Sequence, residues 1–365
     1  MGRISSYLRV GFLLLILNSG YLLSRNEASI FYAANVLFHV SLALGLTGLA
    51  IYVYRRLAKS TLIHIVLGAS ALTGVALVVL GAGTATRPLL LAHIAVASLA
   101  AAAVVVALWS KLAVIVLGLA ALLPLATIMR NSLTPPPTLN AAFAPISMEG
   151  EAMGGASGPF FPSSAETLDG ATIPAEFFMG SEECGRCHTY IYNQWESSAH
   201  RKASFNNQRY RKSIEYMQSA VGTEPSKWCG GCHDHALLFS GMMDTPIEEI
   251  IDWPEAHAGL SCTSCHSIVR VKNTMGNAGF VIEFPALHDL ATSENPVIRA
   301  LHDVLLHLDP EPHRETFLKP LHTGDSSAFC STCHKVHLDA PVNHDRWIRG
   351  FNSYDNWQPS GVSGE

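Results

Sequence analysis

The chain has 365 residues, with 24 Lys and Arg against 29 Asp and Glu, long enough for more than one folded unit. Residues 1–130 hold nine basic residues and one acidic residue, Glu27, whereas residues 131–365 hold 15 basic and 28 acidic residues, a formal charge of −13. The halves therefore face different solvents, and the acidic second half argues against a nucleic-acid partner.

In chain order, the first half is a series of apolar runs near 8–23, 31–54, 61–83, 88–108 and 112–129. Each is close to the roughly 20 residues that cross a bilayer, so an all-α transmembrane bundle of about five helices is expected over residues 1–130. Arg3 and Arg9 precede a short apolar core, as in a signal peptide, but no small-residue cleavage site follows, so an uncleaved helix is expected. With the N-terminus inside, Arg3, Arg9, Arg55, Arg56, Lys59 and Lys111 are cytoplasmic and Arg25, Arg87 and Arg130 are outside. The positive-inside rule then places the second half on the outer, periplasmic face of a bacterial cytoplasmic membrane. Removing the first run would leave four crossings and the same address for the second half.

Residues 131–180 read as an extended Pro/Gly/Ser-rich linker. The run TPPP at 134–137 stops a helix, because proline lacks the amide donor. GGASGPFFPSS at 154–164 is rich in turn formers.

Residues 181–365 hold all eight cysteines, and each falls in the same pattern: Cys184/Cys187/His188, Cys229/Cys232/His233, Cys262/Cys265/His266 and Cys330/Cys333/His334. CxxCH is the spacing of c-type haem attachment, in which both thiols add to the porphyrin vinyls and the adjacent imidazole becomes the proximal ligand. A redox dithiol or paired zinc sites need no histidine after every pair. Four covalent haems are expected in a mostly α-helical, loop-rich tetrahaem domain, with the porphyrins supplying much of its core. Attachment of such haems on the outer side of the membrane agrees with the topology.

Fourteen of the 17 histidines lie from His188 onward. Beyond the four proximal candidates, His200 and His257 are expected as distal ligands to haems other than their own. Trp195, near His200, is placed to stack on a porphyrin. Among His302, His307, His313 and His322, His313 is slightly favoured as a ligand. His235, His337 and His344 are weaker candidates. Met242, Met243 and Met275 are the rival axial ligands, and mostly bis-His ligation is the better expectation. In the membrane, His39 and His93 enter from the same side, and intramembrane ionisable groups are functional candidates. A haem b between them, a quinone site, or simple interhelical hydrogen bonding are the open alternatives.

The four CxxCH motifs, with His200 and His257 around them, resemble multihaem cytochromes c, particularly the cytochrome c554-like group. The resemblance covers roughly residues 180–350 and implies His188, His233, His266 and His334 as proximal ligands. It implies a membrane-bound electron-transfer protein, relaying electrons between a quinol pool or membrane redox complex and a soluble or membrane-bound cytochrome. The alternative is a catalytic multihaem oxidoreductase with one open-coordination haem acting on a small nitrogen compound. The five-helix segment departs from the soluble pattern of that group. The final FNSYDNWQPSGVSGE also resembles an internal stretch of larger multihaem cytochromes, so a longer gene product is an expectation.

Overall fold

The structure, a computed structural model, describes residues 2–25, 28–52, 61–108, 110–133, 147–285, 287–323 and 326–363. Arg55, Arg56, Lys59 and the TPPP run lie outside the described residues. The chain divides into two compact units, Met1–Pro135 with Asp289–Glu315, and Pro136–His288 with Thr316–Glu365.

The first unit contains α1 (Gly2–Ser24), α2 (Ile30–Tyr52), α3 (Thr61–Leu80), α4 (Arg87–Leu108) and α5 (Lys111–Leu133). All five are long and apolar enough to cross a membrane, so the chain is a multi-pass membrane protein. Their outward surface carries large apolar side chains such as Leu72, Leu91, Ile115 and Leu122, which suits lipid rather than water. Small residues let helices approach: a Cβ at Gly20 of α1 would meet the backbone of Ala120 in α5. Asn18 of α1 donates from Nδ2 to Oδ1 of Asn35 in α2, 2.8 Å away, supplying the interhelical hydrogen bond that a buried amide needs.

A further helix, Pro296–Leu308, belongs to this membrane unit. Asn295 caps it by accepting from the Val297 amide, and Pro296 takes the first turn, where its missing N–H costs nothing. Its C-terminal end is tied to the spans by Tyr32 Oη donating to Asp309 Oδ2 at 2.7 Å and by the Ala82 amide donating to the His307 carbonyl at 2.9 Å. His302, His307 and His313, read above within the 181–365 haem domain, thus lie in the unit of the membrane helices.

The second unit is mostly helical, with short helices joined by loops and two small sheets. One sheet has the order β1-β3-β2, with β1 (Glu166–Thr167) parallel and β2 (Ile268–Val271) antiparallel to β3 (Phe280–Ile282). The other pairs β4 (Lys335–Leu338) with β5 (Ile348–Asn352), antiparallel. The core holds Phe160, Phe177, Phe178, Leu237, Phe239, Ile247, Phe280 and Ile282, all essentially inaccessible to solvent. Phe160 and Phe178 both pack on Phe239, edge-on at 5.1 Å and stacked at 5.7 Å. One sequence expectation changes here, that of the linker. The unit has an apolar core of its own, and residues 147–180, expected as linker, build part of it. The Ile173 amide donates to the Phe239 carbonyl, and the Leu168 amide to that of Ile282. Polar-looking GGASGPFFPSS buries Phe160 and Phe161 because aromatic burial outweighs the turn composition around it.

Candidate haem-attachment and membrane sites

Each CxxCH motif sits in a helical turn. Cys184 lies in the helix Ser181–Gly185, and the amides of Cys187 and His188 both return to its carbonyl at 3.2 and 2.9 Å. The second and third motifs lie within the helices Lys227–His233 and Cys262–His266. Cys330 lies in the helix Ser326–Ser331, with the Cys333 and His334 amides donating to its carbonyl at 3.2 and 2.9 Å. In such a turn, positions i, i+3 and i+4 share one face, so two thiols and an imidazole point the same way in all four copies. The third turn is held by Ser261, whose side chain caps it in a reciprocal box with Ser264.

The residues fit covalent haem better than a dithiol or zinc. Burial pushes the Cys229 and Cys265 thiols up to about 12, whereas the neighbouring Cys184 thiol pulls Cys262 down to about 6. Among the described residues, no group of three or more His, Cys, Asp or Glu converges as a single metal site requires. Two proximal candidates also hold the expected tautomer. His266 donates from Nδ1 to the Phe317 carbonyl at 2.7 Å, and His233 from Nδ1 to the Ala203 carbonyl at 2.8 Å. That leaves Nε2 as the lone-pair nitrogen, the arrangement that orients an imidazole for iron. At the fourth motif, Cys330 and His334 open onto a cavity of about 390 Å³ whose other walls are Ser327, Ser353, Tyr354 and Trp357.

The motifs are linked in an order different from their order in sequence. The Cys262 amide donates to the Ser181 hydroxyl at 3.3 Å, joining the third motif to the helix of the first. His322 bridges the third and fourth, its ring centre 5.2 Å from that of His266 and 5.3 Å from that of Phe329 in the helix of the fourth. The Cys232 thiol donates to the Thr332 carbonyl at 3.9 Å, joining the fourth and second. The tertiary sequence is first, third, fourth, second.

His200 lies near the fourth motif rather than its own: its ring centre is 6.2 Å from that of His334, the planes nearly perpendicular. Trp195 donates to the Leu260 carbonyl at 2.7 Å, with the Arg201 guanidinium 5.6 Å from its ring centre, so this indole fixes the 257–260 loop. The same loop receives His200: the Leu260 amide donates to the His200 carbonyl at 2.9 Å, and Arg201 Nη1 to that of His257 at 2.9 Å. His257 donates from Nε2 to the Ile251 carbonyl at 2.7 Å, so ligation through that nitrogen requires breaking this bond.

The other histidines separate by environment. His322, ranked below His313 from sequence, is the one beside a motif: its ring centre is 5.2 Å from that of His266 and Nε2 donates to the Cys265 carbonyl at 3.1 Å. No local sequence signal distinguishes it from His313, because the difference is which unit each joins. His235 is buried among Phe178, Phe239 and Phe280, donates from Nε2 to the Gly231 carbonyl, and is pushed down to about 4 by burial. His337 is buried 3.1 Å from both Glu151 Oε1 and Asn277 Nδ2, a polar core position. His344 is exposed with φ 53° at a helix end. Met243 is buried in the apolar core.

In the membrane unit, Asn18, His39, Thr73 and His93 come from four different helices. Each lies six to nine residues inside the helix end at Ser24, Ile30, Leu80 or Arg87, about 9–14 Å from the same membrane edge at 1.5 Å per residue. His39 Nδ1 is 3.2 Å from Asn18 Oδ1, which can only accept. His93 Nδ1 is 3.1 Å from Thr73 Oγ1, whose own hydrogen goes to the Ala69 carbonyl at 2.9 Å. Both imidazoles therefore donate through Nδ1 and keep Nε2 as the lone-pair nitrogen. Asn18 and Thr73 were missed from sequence, where one amide or hydroxyl in an apolar run reads as a helix-packing residue.

Five membrane-spanning helices joined to a helical region of CxxCH turns define a membrane-associated protein of cytochrome c-like, electron-transfer type. Comparison with known families agrees over part of the chain: the model described as cytochrome c554 and c-prime matches residues 183–267. That segment holds the first three motifs, His200 and His257; the fourth motif lies beyond it. No curated protein and no solved structure matches the chain.

Proposed function

We propose that this chain is a membrane-anchored electron-transfer protein carrying four covalent c-type haems. It relays electrons between a quinol or another membrane redox partner and redox partners at the periplasmic face. The observation that carries this reading is the four CxxCH turns, each with two thiols and an imidazole on one face, linked in the order first, third, fourth, second. The haems supply one-electron chemistry at iron. The chain would supply eight cysteine anchors and four imidazoles, His188, His233, His266 and His334, with His200 as a further imidazole for the haem of His334. Linkage between successive motifs supports short spacing between centres, and imidazoles held by backbone carbonyls resist reorganisation.

The expected result for purified full-length protein is four c-type haems per chain by pyridine haemochrome. The double substitution Cys262→Ala/Cys265→Ala lowers this to three. A parent protein with no haemochrome would sink the reading.

The lone-pair nitrogens of His39 and His93 suit the hydroxyls of a quinol or the iron of a haem b. We take the quinol headgroup as the ligand, because electrons must enter from the membrane and both histidines lie at one level near one edge. Binding of a fluorescent quinoline N-oxide quinol analogue should weaken about tenfold or more in His39→Phe and in His93→Phe, the loss of one buried polar contact each. A b-type haemochrome that disappears in the same variants would assign haem b instead.

A further inference from the structure

The Pro296–Leu308 helix has two apolar faces, and its contacts within the membrane unit occupy one of them. Ile298, His302, Leu305 and Leu306 fall on the half-buried side, and the helix meets α2 and α3. A second stripe, rotated by roughly a third of a turn or more at 100° per residue, carries Val297, Leu301 and Val304. These are 73%, 41% and 47% exposed in the whole chain. Three large apolar side chains at i, i+4 and i+7 facing water would be an unusual cost on a helix that offers exposed Asp303 for solvation.

The anchoring of this helix identifies what covers the stripe. His307 donates from Nε2 to the Val78 carbonyl at 3.0 Å and accepts at its own carbonyl from the Ala82 amide, at the end of α3. Gly81, with φ 80°, leaves room for the His307 ring, which a Cβ there would meet. Asp309 takes the Tyr32 hydroxyl at the start of α2. The start of α2 and the end of α3 lie at one edge of the membrane, and both carry exposed apolar neighbours: Ile30, Phe31, Val79 and Leu80. The free stripe therefore belongs to a helix fastened at the rim of the lipid-facing surface.

We propose that Pro296–Leu308 is an interfacial helix, with Val297, Leu301 and Val304 turned into the headgroup–acyl boundary of the leaflet reached by the start of α2 and the end of α3. It is a monotopic element inserted late in the chain, which returns the polypeptide to the bilayer after the third CxxCH motif. The bonds of His307 are then those of an anchor. This assignment depends on the five spans and is independent of the haem reading.

The test uses full-length protein in nanodiscs of phosphatidylcholine and phosphatidylglycerol. Variants that each add one cysteine to the native eight, Val297→Cys, Leu301→Cys, Val304→Cys and the control Asp303→Cys, are spin-labelled, with the unsubstituted protein taken through the same labelling as background. Power saturation compares oxygen, which partitions into lipid, with an aqueous nickel chelate. The oxygen-to-nickel accessibility ratio is expected to be about fivefold or more higher at 301 and 304 than at 303, as for a helix lying in the interface. Nickel access at 297, 301 and 304 equal to that at 303 would overturn the proposal by showing a face in water. Shielding from both reagents would overturn it equally, showing a face covered by protein, either a second copy or a partner subunit.

Discussion

His200 carries the most specific consequence of the site geometry. Sequence reading placed it after the first motif and expected it to serve another haem; its ring stands 6.2 Å from that of His334 in the fourth. Burial, then the neighbouring His334, lowers its affinity for protons, which keeps the imidazole neutral and able to bind iron near neutrality. His200→Ala is expected to leave all four haems attached while low-temperature electron paramagnetic resonance shows one changing from low to high spin. An unchanged spectrum would remove His200 from the ligand set. His257 contrasts with it, because its Nε2 is committed to the Ile251 carbonyl. Residues of the same type and similar sequence context thus differ in availability, and only their hydrogen-bond partners say so.

At the scale of the element, the 257–260 loop is the hinge of the arrangement. It holds the third motif's approach and the His200 segment together through Ser204, whose hydroxyl accepts from the Gly259 amide at 2.9 Å and donates to the Ala256 carbonyl at 3.1 Å. Gly259 has φ 66°, and a Cβ there would run into the Arg201 carbonyl. Glycine is the residue that adopts this conformation without strain. Gly259→Ala is expected to destabilise the protein by about 1–3 kcal/mol, read as a lower thermal midpoint in detergent, with partial loss of the low-spin signal assigned to His200. An unaltered midpoint would show that the loop relaxes freely. The turns of the four motifs need no such strain, since CxxCH closes an ordinary helical turn wherever the chain permits one.

For the whole molecule, the charge division becomes a division of labour. The 131–365 half has a formal charge of −13, and haem propionates would add to it. Encounter with a basic soluble cytochrome is expected to be steered electrostatically, its association rate falling about tenfold or more between low salt and about 0.5 M. Stopped-flow mixing at several ionic strengths measures this, and a salt-independent rate would remove steering by the acidic half. The unit boundaries refine the simple order of membrane half, linker and haem half. Residues 147–180 are part of the second unit's core, and Asp289–Glu315 belongs with the membrane helices.

Five spans and four CxxCH copies were legible from the sequence alone, because each rests on local rules. Twenty apolar residues have few stable fates other than a bilayer, and a pentapeptide closes its own turn. The order of linkage among the motifs, the approach of His200 to His334 and the pairing of Asn18 with His39 and of Thr73 with His93 were not legible. They join residues tens of positions apart, and no residue carries a record of its distant neighbours. The return of Pro296–Leu308 to the membrane unit was hidden for the same reason: its pattern is that of any amphipathic helix, and the bonds of Tyr32, Val78 and Ala82 alone decide which surface it meets.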